Sequence, residues 1–324
     1  MTDRQRFLTA LAGRQPENYV PVWELEFHLY DAYSPDPLVL GRDFAKLTAA
    51  EKDCALHRNA EIMVTIARQL GHAAISAIGG FWEVAPGQDA YLWFPDDYPW
   101  KFLPILHQVA GQDIAVVVLT GALVGPPSGD QYEQFCYRIF DDPKSVAHQA
   151  EQRLAHALDE IKRARDLGAD AACETCDIAD NHGVFYNPQQ MDRFWYPYLH
   201  KFTAAAKDLG MSSILHSDGN LTSILPQLAG SGLNALQAID PIAGMDIVAV
   251  KAQFGRKLCL CGNIDCGLLH FGPPEKIREQ TRHVCERIKP GGGFVLGASN
   301  AVFREMPKAH YEAMRETWRQ YGTY

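Results

Sequence analysis

The chain has 324 residues, of which 47% are hydrophobic and 21% are charged, and its formal net charge is −9. These proportions are typical of a globular protein that buries a sizeable core. The negative charge argues against nucleic acid or an anionic membrane as the main partner, because both repel an acidic surface. We therefore expect the acidic surface of an enzyme.

The first six residues are polar, and no apolar stretch of the signal-peptide type follows them. No run approaches the roughly 18 apolar residues that a membrane span needs. The eight cysteines are dispersed along the chain, as in proteins that keep their thiols reduced. These features together predict a cytoplasmic protein.

Helical and strand-like patterns alternate along the chain. Residues 3–18 predict a short helix, residues 48–70 a long one that ends at Gly71, and Asp142-Pro143 begins another. The aromatic, proline-rich and glycine-rich segment 81–100 predicts a long loop or hairpin over the mouth of the fold. Eight strands are predicted at 19–24, 73–78, 114–119, 169–174, 212–216, 234–239, 257–261 and 293–296. Further helices are predicted at 188–209, 221–228, 245–254, 274–288 and 307–321.

This alternation predicts an α/β fold with a parallel sheet. Eight strand–helix units in about 300 residues favour a closed (β/α)8 TIM barrel over an open sheet. No Gly-x-Gly-x-x-Gly follows the first strand, so the main reason to prefer an open dinucleotide-binding sheet is lacking. No linker or low-complexity tract interrupts the chain, and we expect one domain over residues 1–324.

Polar side chains collect where the predicted strands end, whereas the strand interiors are apolar. In barrels of this type the carboxyl ends of the strands form the active site, so we expect these side chains to converge, although turn chemistry also favours Asp and Asn. The residues concerned are Trp23, Glu24, Glu26, Glu174, Asp177, Asp180, Asn181, His216, Asp218, Asp240, Asn263, Asp265, Ser299 and Asn300.

The stretch from Ser213 to Asn220 is the centre of this hypothesis. His216 and Asp218 are two residues apart and would share one face of a continuing strand. An imidazole and a carboxylate on one face can hold a metal or move a proton. The alternative is that Asp218 caps the next helix while His216 packs. As metal ligands we consider His216 with Glu174 and Asp218; as catalytic residues, these three with Asp177.

The other sulfur and imidazole motifs have structural explanations. Cys173-x-x-Cys176 lacks both a thioredoxin-like context and a second pair for zinc, and Cys259-x-Cys261 reads as part of a buried strand. Cys261 is the one thiol placed near a strand end. We expect the remaining histidines to be solvated or packed. His28 and His182 are the two for which a functional role is hardest to exclude.

With these motifs in place, the chain resembles the uroporphyrinogen decarboxylase-like superfamily, whose fold is a (β/α)8 barrel. The resemblance covers nearly the whole chain and strengthens from about residue 169. It rests on an ordered set of segments: 6–8, 21–23, 183–188, 195–199, 216–220, 240–246, 262–265 and 291–297.

The sequence departs from the true porphyrinogen decarboxylases at two places. Those enzymes carry an arginine-rich stretch after Pro-Val-Trp, where substrate carboxylates bind, whereas this chain has Glu24, Glu26 and His28 there. The late Gly-His-Gly of the family is replaced by 298–300, Ala-Ser-Asn. Acids in place of arginines repel a polycarboxylate substrate, so porphyrinogen decarboxylation is not expected.

The resemblance is closer to the cobamide-dependent methyltransferase branch. It implies a methyltransferase that moves a methyl group between a methylated corrinoid, carried by a corrinoid protein, and a small acceptor. Thiol-using members of this branch hold zinc through His-x-Cys and a distant cysteine. Here His216 remains, Asp218 replaces the first cysteine, and Ala298 or Ser299 stands at the second. Zinc and methylcobamide are therefore the expected cofactors, and a homodimer is a candidate assembly.

The resemblance also suggests where the cofactor and substrate would bind. The expected binding residues are Trp23, Asp240, Asn263, Asp265 and Asn300, and Trp23 with Phe81 and Trp82 would receive a flat cofactor at the mouth. An oxygen-richer ligand set than the family's would make a harder metal centre, less suited to a thiolate.

Two alternatives stay open. A lyase or decarboxylase that acts on a non-porphyrin small acid would need a cation at the mouth, for which Lys101 and Arg304 are the candidates. A non-catalytic barrel that binds a cofactor or a corrinoid protein would tolerate the loss of the family's cysteines and arginines.

Overall fold

The computed structural model describes residues 1–80, 83–85, 87–127 and 129–324, with the backbone alone for 83–85. Its helices are α1 (Asp3–Leu11), α2 (Tyr30–Tyr33), α3 (Gly41–Ala45), α4 (Ala49–Leu70), α5 (Tyr98–Ala110), α6 (Gln131–Asp141), α7 (Pro143–Asp166), α8 (Pro188–Phe194), α9 (Tyr196–Asp208), α10 (Leu225–Leu228), α11 (Ile247–Phe254), α12 (Cys266–Phe271), α13 (Pro274–Ile288) and α14 (Lys308–Tyr321). Within these ranges no helix is long and apolar enough to cross a membrane.

The strands are β1 (Ala74–Ser76), β2 (Glu83–Ala85), β3 (Gln88–Asp89), β4 (Ala115–Thr120), β5 (Ala171–Thr175), β6 (Ala179–Asp180), β7 (Gly183–Val184), β8 (Ser212–His216), β9 (Ala235–Ala238), β10 (Cys259–Ile264) and β11 (Phe294–Ala298). Seven of them form one parallel sheet in the order β1-β4-β5-β8-β9-β10-β11. The pairs β2–β3 and β6–β7 are small antiparallel hairpins.

The segment around Val22 joins the two edges of this sheet. Val22 forms parallel bridges with His72, just before β1, and with Leu296 in β11. The Trp23 N–H donates to the Leu296 carbonyl at 3.0 Å, and the Ala73 N–H donates to the Val22 carbonyl at 2.7 Å. The predicted (β/α)8 barrel is therefore confirmed, with the predicted first strand reduced to a short bridging segment.

The barrel strands are apolar because both of their faces are covered. The run from Ala115 to Val118 in β4 is buried, as expected for parallel strands between a packed interior and outer helices. Helix α4 begins and ends at the predicted signals. Thr48 forms a capping box at the start of α4, and Gly71 ends that helix with a φ of 79°.

The interior of the barrel is closed at one end by α1. Phe7 and Trp23 pack there with ring centroids 5.9 Å apart. Arg4 binds the carboxylate of Asp170 at 2.6 Å, and its N–H donates to the Asp113 carbonyl. Because Asp113 and Asp170 precede β4 and β5, α1 covers the amino ends of the strands. The carboxyl ends are left to form the site.

Several elements differ from the sequence prediction. The predicted helix 188–209 is two helices, α8 and α9, separated at Trp195. Helices α5, α6 and α12 were not predicted. The predicted hairpin in 81–100 is present as β2–β3, but α5 begins at Tyr98. Phe81 and Trp82 lie outside the described residues.

Candidate functional site

The carboxyl ends of β5 and β8 bring three candidate ligands together. Thr175 and His216 are register partners, so the residues that follow each strand are neighbours. His216 Nε2 lies 3.7 Å from Asp177 Oδ1 and 3.9 Å from Asp218 Oδ1. One ligand atom from each of Asp177, His216 and Asp218 lies within 4.8 Å of the other two. We call these three residues the ligand cluster.

Gln237 fixes the orientation of His216. The two residues are partners in the β8–β9 register, and Gln237 Oε1 contacts His216 Nδ1. The Gln237 amide nitrogen donates to the carbonyls of Ala298 and Ser299 at 3.1 and 3.3 Å. Because this assigns Oε1 as the acceptor toward His216, the proton lies on Nδ1. In the neutral imidazole, Nε2 is then the nitrogen with the free lone pair, and it lies nearest the two carboxylates.

Asp218 is held from two sides. Its backbone N–H donates to Asp177 Oδ1 at 2.9 Å, and the Asn300 side-chain amide donates to Asp218 Oδ2. Burial raises the pKa of Asp218 to about 6, and the charges of Asp177 and Asp240 act in the same direction, while His216 and Asn300 oppose them. A divalent cation would relieve this repulsion between carboxylates.

Glu174 does not belong to the ligand cluster. Its carboxylate is fully buried and accepts hydrogen bonds from Thr120 Oγ1 and from the N–H groups of Ala122 and Leu123, at 2.6 to 2.9 Å. Burial raises the pKa of Glu174 to about 7, although these donors favour the charged form. Glu174 thus organises the loop after β4, and the geometry does not support its predicted role as a metal ligand.

The five predicted binding residues occupy different environments. Trp23 is 2% exposed in the barrel interior, so it is not available at the mouth. Asp240 accepts from the N–H groups of Gly219 and Ile242, and Asp265 caps α12. Asn263 is buried and donates to the Ile239 carbonyl. Of the five, only Asn300 contacts the ligand cluster among the described residues.

A large cavity opens above the ligand cluster. Its volume is about 1540 Å³, and Asp177, His216 and Asn300 form part of its wall. The wall of a smaller hollow of about 470 Å³ includes Asp218 and Asp240. The cavity wall also contains Glu26, His28, Tyr91, Arg153, Phe303 and Arg304. The site can therefore enclose a sizeable ligand beside the cluster.

The ligand cluster suits a hard divalent cation, because its donor atoms are nitrogen and oxygen. A site built from thiolates would favour a softer cation. The cluster offers one imidazole nitrogen and carboxylate oxygens, which bind Zn²⁺ and also Mn²⁺ or Co²⁺. Burial raises the pKa of the Cys176 thiol to about 12 and that of Cys266 to about 11. Cys266 Sγ instead accepts from the Asn300 N–H at 3.1 Å. The residues present therefore fit a metal bound by nitrogen and oxygen.

Comparison with known proteins agrees with this barrel. The profile of the uroporphyrinogen decarboxylase (URO-D) family matches residues 109–321. The chain belongs to this family. The resemblance inferred from sequence motifs is thereby confirmed.

Relatives in the family carry two different activities. The chain is 24% identical over 176 residues to a uroporphyrinogen decarboxylase of Pseudoalteromonas translucida, covering 51% of this chain and 48% of that protein. It is 23% identical over 229 residues to the methylcobamide:CoM methyltransferase MtbA of Methanosarcina mazei, covering 68% and 62%. The chain thus spans about half to three-fifths of the length of these relatives.

Among solved structures, a methyltransferase from Methanosarcina mazei matches with a TM-score of 0.73 over 99% of both chains, at 17% identity. A vitamin-B12-independent methionine synthase from Listeria monocytogenes matches with a TM-score of 0.50, at 12% identity. At these identities the likeness establishes the fold, and function must be argued from the site.

Sequence reasoning missed Gln237 and the pairing of Glu26 with His28. Gln237 lies inside a short apolar strand, and nothing local distinguishes it from a packing residue. Its role depends on the register between β8 and β9, which a single strand does not encode. Glu26 and His28 are two residues apart, the same spacing that drew attention to His216 and Asp218, so this signal was available.

Proposed function

We propose that this protein is a metal-assisted methyltransferase that moves a methyl group between a methylated corrinoid, carried by a partner protein, and a small acceptor. The observation that carries the proposal is the ligand cluster, with His216 Nε2 near Asp177 and Asp218, two of whose members, Asp177 and His216, line the large cavity. The family membership and the methyltransferase relative support it.

In this proposal Asp177, His216 and Asp218 hold the metal. When bound, the metal would act as a Lewis acid that lowers the pKa of the acceptor. Gln237 keeps His216 in the ligating tautomer, and Asn300 orients Asp218. Because the ligands are nitrogen and oxygen, we expect the acceptor to be activated through an oxygen or nitrogen atom more readily than through a thiol.

Metal analysis of purified protein beside a His216→Ala variant tests the metal site. We expect stoichiometric metal in the wild type and its loss in His216→Ala. The control is His200→Ala, at an exposed position on α9. Wild-type protein that stays metal-free after incubation with Zn²⁺, Mn²⁺ and Co²⁺ would remove the metal from the proposal.

Methylcobalamin demethylation tests the transfer itself. We expect the loss of methylcobalamin absorbance to require both metal and an acceptor from a panel of alcohols, phenols, amines and thiols. His216→Ala should abolish it. A barrel that only binds a corrinoid would bind methylcobalamin without demethylating it. In that case His216→Ala would lower its affinity for methylcobalamin only slightly.

A second candidate, decarboxylation of a small acid, is favoured by the cations in the cavity wall. Arg153 and Arg304 both line the cavity. Arg304 is paired with Asp31, whereas Arg153 donates only to the Gly121 carbonyl among the described residues. Lys101, the other predicted candidate, lies outside the cavity wall and pairs with Asp97 at 3.1 Å. CO2 release that Arg153→Ala abolishes would favour this function over methyl transfer.

A further inference from the structure

Glu26 and His28 form a second polar pair in the same cavity, separate from the ligand cluster. Glu26 Oε2 and His28 Nε2 are 2.8 Å apart. Both side chains are largely buried, with 18% and 11% of their areas exposed. Both residues line the cavity whose wall also contains His216. The short distance and the low exposure indicate a fixed hydrogen bond.

The backbone and two aromatic rings hold this pair in place. The His28 N–H donates to the Val302 carbonyl, and the Val302 N–H donates to the Glu26 carbonyl, each at 2.9 Å. The His28 ring lies 5.4 Å from the ring of Tyr91 and 6.2 Å from that of Phe303. The imidazole is therefore preorganised before any ligand enters.

Two other charged residues of the cavity wall, Asp31 and Arg304, are engaged with each other. Asp31 pairs with Arg304 and accepts a hydrogen bond from the Tyr91 hydroxyl at 3.3 Å. Arg304 also lies over the Tyr91 ring, 4.8 Å from its centroid. Among the described residues, none donates to or accepts from His28 Nδ1. Since His28 lines the cavity, Nδ1 is the imidazole nitrogen left for a ligand there.

We propose that Glu26 and His28 are an acid–base pair that takes up the proton which a protic acceptor loses when it is methylated. A carboxylate bonded to one imidazole nitrogen orients the ring and stabilises its protonated form, while the other nitrogen acts as the base. This inference rests on the proposed methyl transfer, and it narrows the acceptor to one that still carries its proton in the cavity, such as an alcohol, a phenol or an amine.

In this step an acceptor X–H reacts with a methylated corrinoid. The X–CH3 bond forms, and the CH3–cobalt bond breaks with its electron pair remaining on cobalt. The X–H bond breaks, and its proton passes to His28 Nδ1. The charge of Glu26 offsets that of the resulting imidazolium. Release of the proton to solvent restores the pair.

A series of phenols of graded acidity, assayed with metal-loaded protein at one pH, tests this role. We expect His28→Gln to lower the rate by ~10²-fold or more with weakly acidic phenols and little with phenols that are already ionised. Glu26→Gln should give a smaller loss with the same dependence on acidity. His57→Gln, at an exposed position on α4, is the matched control, and metal content should be unchanged in all three variants. An equal loss across the series, or no loss, would overturn the inference.

The tautomer of His28, observed by ¹⁵N NMR of histidine-labelled protein, separates this inference from the proposed function. We expect the proton of neutral His28 on Nε2, toward Glu26, and a shift of the Nδ1 resonance when phenol is added. If wild-type protein demethylates no methylcobalamin yet shows this tautomer and shift, the proposed methyl transfer is wrong. The assignment of His28 Nδ1, oriented by Glu26, as the base that meets a protic ligand then still holds. A proton on Nδ1, or no response to phenol, overturns the pair.

Discussion

At the residue scale, an uncharged side chain determines how His216 can act. Gln237 Oε1 faces His216 Nδ1, and its amide nitrogen donates to two backbone carbonyls at the carboxyl end of β11. Such partners of a metal-binding histidine set the tautomer and the direction of the ring. If the ligand cluster holds a metal as proposed, the ligating power of His216 depends on a residue outside the cluster.

We expect Gln237→Leu to weaken metal binding by ~10- to 100-fold, because His216 is then free to rotate or to carry its proton on Nε2. Competition with a chromophoric chelator measures the affinity. Gln108→Leu, at an exposed position on α5, is the control and should bind as the wild type does. Unchanged affinity in Gln237→Leu would show that the tautomer is fixed by something else.

Glu24 makes the stability of the barrel depend on pH. It is buried, and it accepts from the Ala298 N–H at 2.8 Å and the Tyr311 hydroxyl at 2.9 Å. Burial raises the pKa of Glu24 from 4.5 to about 8, against the effect of these donors. Between about pH 4.5 and pH 8, Glu24 is therefore protonated in the folded state and ionised in the unfolded state. The resulting stabilisation is full below pH 4.5 and declines as the pH rises through 8.

We expect the free energy of unfolding of the wild type to fall more steeply between about pH 5 and pH 8 than that of Glu24→Gln. The extra slope should approach ~1.4 kcal/mol per pH unit, the limit for one proton. Other titrating groups, such as Glu174 and His72, cancel in the difference. Urea denaturation at several pH values measures it, with exposed Glu61→Gln as the control. Parallel curves for wild type and Glu24→Gln would contradict the assignment.

At the element scale, the sequence predicted the strands and helices that carry their own apolar or capping pattern. The apolar runs of β4 and β8 and the capped helix α4 were found because burial on both faces, a capping box and a left-handed glycine each leave a mark in the sequence. By contrast, α5 was not predicted: its first three residues fell in the predicted loop 81–100, and it contains Pro104. Its tertiary packing overrides that weak local preference.

The candidate site was predictable to the same extent. His216 ends β8, Asp177 and Asp218 come just after β5 and β8, and the parallel topology brings such residues together. That Glu174 lies outside the ligand cluster could not be predicted, because its three donors come from the end of β4 and the loop after it, which the strand pattern does not reveal. That Trp23 lies at the end of the predicted first strand could be read from the sequence. That its side chain points into the barrel could not, because this depends on the packing of α1 against it.

At the scale of the whole molecule, the barrel separates its stability from its chemistry. The amino ends of the strands are sealed by α1, where Phe7 and Trp23 are almost completely buried. The ligand cluster lies at the carboxyl ends, at and just beyond the last residues of β5 and β8. A change at the sealed end should therefore lower stability without altering the donor atoms of the metal site.

We expect Phe7→Ala to lower the free energy of unfolding by ~3 to 5 kcal/mol, because it leaves a cavity beside Trp23 that the closed barrel cannot collapse to fill. Below its melting transition the variant should still bind metal stoichiometrically. Thermal unfolding measures the first effect and metal analysis the second, with Phe140→Ala as the control, since Phe140 is 71% exposed. Folded Phe7→Ala protein that has lost its metal would mean that the two ends of the barrel are coupled, and the separation argued here would fail.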